Sequence, residues 1–229
     1  MNDTTKPEPA PLPPDQHRAF EQRFGIGVIE AMGMTECASV VFCNPQDATR
    51  RKYGTPGLPC GVQARVVAVE SGEVLPIGTT GELQLRGDNV MAGYWHAPDK
   101  TAEALTADGW LRTGDLGHRD GDGFYFVTGR IKELIIKGGE NIAPREIDEA
   151  LLAHPAVLEA AAVGIPDKNY GQEILAAVIL KPGVHADEAT LRAHCTALLG
   201  RYKTPSVFRF VDELPKGPSG KVQRLKLLE

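Results

Sequence analysis

Cysteine is scarce in this chain, with residues at positions 37, 43, 60 and 195 only. They form no Cys-x-x-Cys pair and have no histidine nearby at metal-ligand spacing, which argues against a metal site and a disulfide framework. Reduced thiols of a cytoplasmic protein are the expectation. No Lys/Arg run is long enough for a phosphate-binding stripe, and the formal charge of -5 with a pI near 5.7 argues against nucleic acid as a partner. No apolar run reaches the roughly 20 residues of a transmembrane helix. The start of the chain is proline-rich, not the basic-then-apolar pattern of a secretory signal.

What is present is 229 residues, enough for one large domain or two modest ones. Residues 1–14, "MNDTTKPEPAPLPP", carry five prolines and are expected to form a disordered leader. "DQHRAFEQRFG" (15–25) predicts a short helix with Asp15 as N-cap, Phe20 and Phe24 on one face, and Gly25 as its stop. "IGVIEAM" follows as a buried-strand candidate. Between about 61 and 129 short alternating segments separated by turns ("VQARVVAVE", "GELQLRG", "DGFYFVTG") predict a small barrel or curled sheet.

After residue 130 the pattern becomes that of an α+β domain. Pro144 suits a first helical turn, and Ile147, Ala150, Leu151 and His154 form one apolar stripe. "VLEAAAVGI" and "EILAAVIL" are continuous apolar runs of strand length. Asp187 opens a second helix with Leu191, Cys195, Leu198 and Leu199 on one face and Gly200 as its stop.

Four stretches offer chemistry. "GMTE" (33–36) places a hydroxyl and a carboxylate at a strand end, where they could serve a phosphate and its Mg²⁺, or simply cap a helix. "GWLRTGDLG" (109–117) sets Asp115 between glycines, suited to ribose hydroxyls or to an Asx turn. "TGRIKELIIKGGENIAPREI" (128–147) puts Arg130 and Lys132 before an apolar strand and a glycine pair, which permits close backbone approach. "PKGPSGK" (215–221) fails the Walker pattern, because Val222 follows the lysine. Taken alone, Lys221 reads as a solvated turn residue. "PIGTTGE" (76–82) leads into a strand and reads as a turn.

Together, in this order and spacing, "GMTE", "GELQLRG", "GYW", "DGWLRTGD", "GRIKELIIKGGENIAPREIDEAL" and "PKGPSGKVQR" resemble the adenylate-forming superfamily, over roughly residues 15–229. "GGENIAPREID" looks most like its acyl- or aryl-CoA ligase branch. The resemblance implies an α+β fold in three parts. The chain would be the C-terminal portion of such an enzyme, with 15–130 an incomplete large domain that includes a β-barrel-like subdomain at about 61–129. Residues 131–229 would be a mobile α+β C-terminal domain with its hinge at Lys132.

The resemblance also implies roles: Thr35 on the α-phosphate, Glu36 on Mg²⁺, Met32 and Gly33 beside the adenine, and Asp115 with Arg130 at the ribose. The loop Lys137, Gly138, Gly139, Glu140, Asn141 would face coenzyme A, and Lys221 would be the adenylating lysine. ATP, Mg²⁺ and coenzyme A would be the cofactors and a carboxylic acid the substrate. The family's Ser/Thr/Gly-rich phosphate loop is missing, and Met32 stands where the family commonly has an aromatic. A separately encoded N-terminal half is therefore an expected partner. A non-catalytic remnant and an adenylation module for a carrier protein stay open, as does oligomerisation.

Overall fold

The computed structural model describes residues 12, 14–218 and 220–229; the proline-rich leader lies almost wholly outside them. The chain divides into two compact units, before and after the step from Ile131 to Lys132.

The first unit opens with helix α1 (Pro14–Phe24). Pro14 has no N–H to leave unsatisfied at the first turn, and Gly25 ends the helix at φ +65° while donating to the Glu21 carbonyl at 2.9 Å. Its predicted aromatic face does not pack: Phe20 and Phe24 are exposed, and the buried residue is His17. The helix is held by a polar clamp instead. The His17 Nε2 contacts the Val28 carbonyl oxygen at 3.0 Å and its Nδ1 lies 3.3 Å from Glu30. Glu21 accepts from the Val28 N–H at 2.7 Å and the Tyr53 hydroxyl at 2.7 Å, and pairs with Arg51 at 3.2 Å. The hydrogen bonds from Tyr53 and Val28 hold the Glu21 carboxyl below its ordinary range.

The expected strand at 26–32 begins only at its end. Strand β1 is Ala31–Met34, and Ile26 and Ile29 remain exposed. It pairs antiparallel with β2 (Ser39–Cys43), which pairs with the two-residue β3 (Leu58–Pro59). Next come β4 (Gln63–Val67), β5 (Gly81–Arg86), helix α2 (Pro98–Ala104), β6 (Leu111–Arg119) and β7 (Tyr125–Arg130). The expected barrel is an open antiparallel meander of order β4-β5-β6-β7; among the described residues no strand pairs β4 to β7 to close it. Sequence alternation gives each strand's two faces, but closure depends on which edges meet, and that is not local. Phe42, Val41 and Cys37 pack with Val66, Leu83, Leu85, Leu111 and Tyr125 into one core shared by both sheets.

The second unit runs β8 (Ile135–Lys137), β9 (Glu140–Ile142), α3 (Pro144–Leu152), β10 (Val157–Asp167), β11 (Gly171–Leu180), α4 (Glu188–Lys203) and β12 (Val207–Phe210). The sheet order is β10-β11-β8-β9, with β12 parallel to β11. Because side chains alternate across a strand, Ala162, Ile174, Ala176 and Val178 face the core containing Ile147, Leu151, Leu191 and Cys195. Their neighbours Ala161, Val163, Leu175 and Ala177 face a second cluster with Leu214 and Leu227. Both faces are covered, which is why these strands read as unbroken apolar runs. The Asp187 carboxylate caps α4, accepting from the Thr190 N–H at 2.8 Å. Gly200 interrupts the helix at φ +75°, after which one further turn reaches Lys203.

Candidate functional site

In the first unit the stretch "GMTE" lies at the turn of the β1–β2 hairpin. A β-bulge falls between Met32 and Gly33, the kind of irregularity that re-aims side chains. A Cβ on Gly33 would come within 2.9 Å of the Ser39 carbonyl oxygen, so glycine is what lets the two strands approach there. Thr35–Cys37 form a 3-10 turn closed by the Ala38 N–H on the Thr35 carbonyl at 3.1 Å, with Ala38 left-handed at φ +55°. Thr35 is exposed and Glu36 half-buried.

Glu36 is fixed from outside the hairpin. Its Oε1 accepts from the Tyr94 hydroxyl at 2.9 Å, and its carbonyl oxygen accepts from the Met91 N–H at 2.7 Å. The bond to Glu36 raises the Tyr94 phenol above its ordinary range. The "GYW" motif that supplies Tyr94 was legible in the sequence; its bond to Glu36, 58 residues away, was not. Tyr94 also lines an open depression of about 520 Å³ with Gly93, Trp95, Pro98, Thr101 and Leu105.

Asp115 sits on β6 directly opposite Arg130 of β7. The carboxylate is buried, and the Arg130 Nε meets its Oδ1 at 2.9 Å while most of the guanidinium side chain stays exposed. Thr113 supports the turn before it, accepting from the Asp115 N–H at 3.0 Å and donating to the Leu83 carbonyl at 2.7 Å. The register of two strands thus brings together two residues that sequence reading had placed at one ribose. They lie on a different sheet from Thr35 and Glu36, over the same apolar core. A lone carboxylate at Glu36 suits Mg²⁺, which takes one or two carboxylates and fills its remaining positions from phosphate and water. A carboxylate beside an exposed guanidinium suits ribose hydroxyls and an anionic phosphate.

In the second unit, Lys132 is exposed in the 3-10 turn Ile131–Glu133. Gly138 and Gly139 form the two-residue turn between β8 and β9, at φ +54° and +87°, a conformation L-residues adopt at a cost. Gly138, Gly139, Glu140 and Asn141 are exposed, but Lys137 is not. The residue is only 5% exposed, and its ammonium pairs with Glu173 at 2.9 Å, donates to the Tyr202 carbonyl at 2.8 Å, and lies 5.4 and 4.9 Å from the Tyr170 and Tyr202 ring centres. Burial pushes the Tyr202 phenol up, and its hydroxyl donates to the Lys137 carbonyl at 2.5 Å. The glycine turn is therefore presented to solvent by a lysine held inward. Tyr170, Glu173 and Tyr202 come from distant parts of the chain, and no local pattern announces them.

Lys221 is exposed at the end of a tight loop. Gly217 donates to the Lys221 carbonyl at 2.9 Å, Gln223 to the Pro215 carbonyl at 2.7 Å, and Gly220 takes φ +82°. Among the described residues no cluster of three or more His, Cys, Asp or Glu could hold a metal by itself, and no helix is long and apolar enough to cross a membrane.

Comparison with known proteins gives a consistent result across both units. Residues 9–95 match the model described as AMP-binding enzyme, and residues 146–221 match AMP-binding enzyme C-terminal domain. The chain is 65% identical over 219 residues to a sulfoacetate–CoA ligase of Cupriavidus necator, covering 96% of this chain and 43% of that protein. Among solved structures, ATP-bound MatB from Rhodopseudomonas palustris superposes with a TM-score of 0.90 at 39% identity, over 95% of this chain and 43% of that one. The o-succinylbenzoate CoA synthetase MenE of Bacillus subtilis, solved with its acyl-adenylate intermediate, gives 0.86 at 33% identity, over 96% and 43%. The chain thus spans less than half the length of these proteins.

Proposed function

Because this chain belongs to the adenylate-forming, AMP-binding enzyme family, we propose that it serves an AMP-forming carboxylate–CoA ligase, activating an acid as its acyl-adenylate and passing the acyl group to coenzyme A. The observation that carries this reading is the 65% identity to a sulfoacetate–CoA ligase across 96% of the chain. The rest of the family fold, on the same polypeptide or a separate one, is the proposed partner. Sulfoacetate is the first acid to try.

In this reading Thr35 contacts the α-phosphate and Glu36, steadied by Tyr94, holds Mg²⁺, whose charge offsets that of the departing pyrophosphate. Met32 and Gly33 border the adenine. Asp115 accepts from the ribose hydroxyls, with Arg130 beside it. The substrate carboxylate attacks the α-phosphorus, so two anions must meet. A lysine ammonium about 4 Å from each offsets roughly 4 kcal/mol per contact at an effective dielectric of 20. Only the part of this gained in the transition state accelerates the step, and two to three decades of rate is the order expected from one such group.

Lys221 is that cation, presented on an exposed loop whose backbone is closed by its own hydrogen bonds. Lys132, at the boundary of the units, is the proposed hinge that withdraws it afterwards, and the Gly138–Asn141 turn then faces the thiol of coenzyme A. Lys137 supports this turn from behind.

The test is carboxylate-dependent ATP–pyrophosphate exchange by the chain together with the remaining part of the family fold. Sulfoacetate-dependent exchange is expected, falling by about a hundredfold or more in Lys221→Ala. Exchange that survives this substitution unchanged would remove Lys221 from the reaction, and no exchange with any carboxylate would remove the ligase reading.

A further inference from the structure

Three residues after Lys221 stands Arg224, which the reading above leaves without a role. It begins the 3-10 turn Arg224–Leu228, and its guanidinium is mostly buried. Every nitrogen is used, each on a different segment. Nη2 donates to the Asp148 Oδ2 on α3 at 2.5 Å, Nη1 to the Ala162 carbonyl on β10 at 3.0 Å, and Nε to Glu133 at 3.2 Å in the turn that holds Lys132.

Asp148 is itself immobilised. It is 7% exposed, and its second oxygen accepts from the Ala162 N–H at 2.7 Å. Burial pushes its carboxyl up to about 6 even with the guanidinium beside it. A planar fork reaching three acceptors at fixed angles is a task for arginine; a lysine ammonium at the same place could not span them. The loop from Pro215 to Gln223 closes on itself through backbone hydrogen bonds. Those bonds shape the loop but do not attach it. Lys216 ties its first half to β10 by an ion pair with Glu159 at 2.8 Å, and Val222 packs on the second apolar cluster. The attachment that reaches three segments at once is Arg224, with the buried Leu227 behind it, whose carbonyl accepts from Arg209 at 2.7 Å.

We propose that Arg224 is the positioning residue for Lys221, locking the lysine's loop to α3, to β10 and to the Glu133 turn so that Lys221 and Lys132 are carried as one rigid piece. The proposal rests on Lys221 as the adenylating cation, and it assigns Arg224 no contact with substrate.

The test has two arms. In the first, amide hydrogen exchange is followed in the full chain: Arg224→Lys is expected to speed exchange at Gly217 and Gln223 tenfold or more while β10 and β11 keep their protection. Unchanged loop exchange, or an equal loss across the whole unit, overturns the positioning role. In the second, the chain is assayed with the rest of the family fold. Arg224→Lys is expected to lower the adenylation kcat at least tenfold with the KM for ATP unchanged, and to leave thioester formation from supplied acyl-adenylate at its wild-type rate. Loss of both half-reactions alike would mark a merely structural residue and overturn the proposal.

Glu133→Ala spares the buried Asp148 pair and guards against misfolding; it should lower adenylation threefold or more at an unchanged thermal midpoint, and no change would break the link to the hinge. Should the wild type show no pyrophosphate exchange, the role of Lys221 falls, and the exchange arm still decides whether the guanidinium holds the loop.

Discussion

Helices α1 and α3 solve the same problem in opposite ways. Helix α3 buries Ile147, Ala150 and Leu151 against strands covered on both faces. Helix α1 leaves Phe20 and Phe24 in water and buries only His17, among carboxylates, a carbonyl and a tyrosine. An amphipathic pattern says that a helix has an apolar side; it does not say that anything apolar stands opposite. The second unit, though shorter, holds most of the fully buried apolar residues, so its helices have a core to meet.

The largest expected effect follows from that core. Leu151 is fully buried and packs between the sheet and Leu191. Truncation to alanine deletes buried methyl groups and leaves a cavity, at a cost of about 2–5 kcal/mol. Denaturant-dependent loss of amide protection in β10 and β11 measures it. A shift below about 1 kcal/mol would mean that the second unit is not held by its apolar interior, and the contrast with α1 would break.

The clamp of α1 should respond less. His17→Ala removes an imidazole, itself only 1% exposed, from the Val28 carbonyl, which keeps the Arg51 Nη1 at 3.0 Å, and from the Glu30 carboxylate. Losing hydrogen bonds without stranding their partners costs about 0.5–1.5 kcal/mol each. Both tryptophans, Trp95 and Trp110, lie in the first unit, so urea unfolding followed by their fluorescence reports on it directly. A neutral result would mean that α1 is held by something other than the clamp.

The same contrast sets what could be read in advance. Strands β10 and β11 follow from their apolar runs, because a strand covered on both faces must be apolar throughout. Helices α3 and α4 follow from period in part, since Leu191 and Cys195 are buried as expected while Leu198 is 56% exposed and His154 lies past the end of α3 at Leu152. The open meander could not be told from a barrel, since edge pairing joins residues far apart in sequence. Asp115 and Arg130 were placed together by family resemblance, and the register of β6 and β7 is the physical cause of their pairing, which no local pattern gives. The inward lysine at 137 was misleading, because a charge beside two glycines reads as solvent-facing until Tyr170, Glu173 and Tyr202 arrive around it. Arg224 was hidden for the same reason: its three acceptors lie 62 to 91 residues away.

The smallest effect is the sharpest test of the comparison. Phe24 is 55% exposed, and its ring lies 4.7 Å from that of Phe20 with the Arg23 guanidinium 5.6 Å away. A half-exposed ring whose aromatic and cationic neighbours are on its own helix returns little on burial, so Phe24→Ser should change the urea stability of the first unit by no more than about 0.5 kcal/mol. A Leu at the matching place on α3 would cost several times more. If Phe24→Ser instead destabilised the chain as strongly as Leu151→Ala, the aromatic pair would be covered in solution. The sequence expectation of a packed face on α1 would then be right after all, and the clamp around His17 a secondary support.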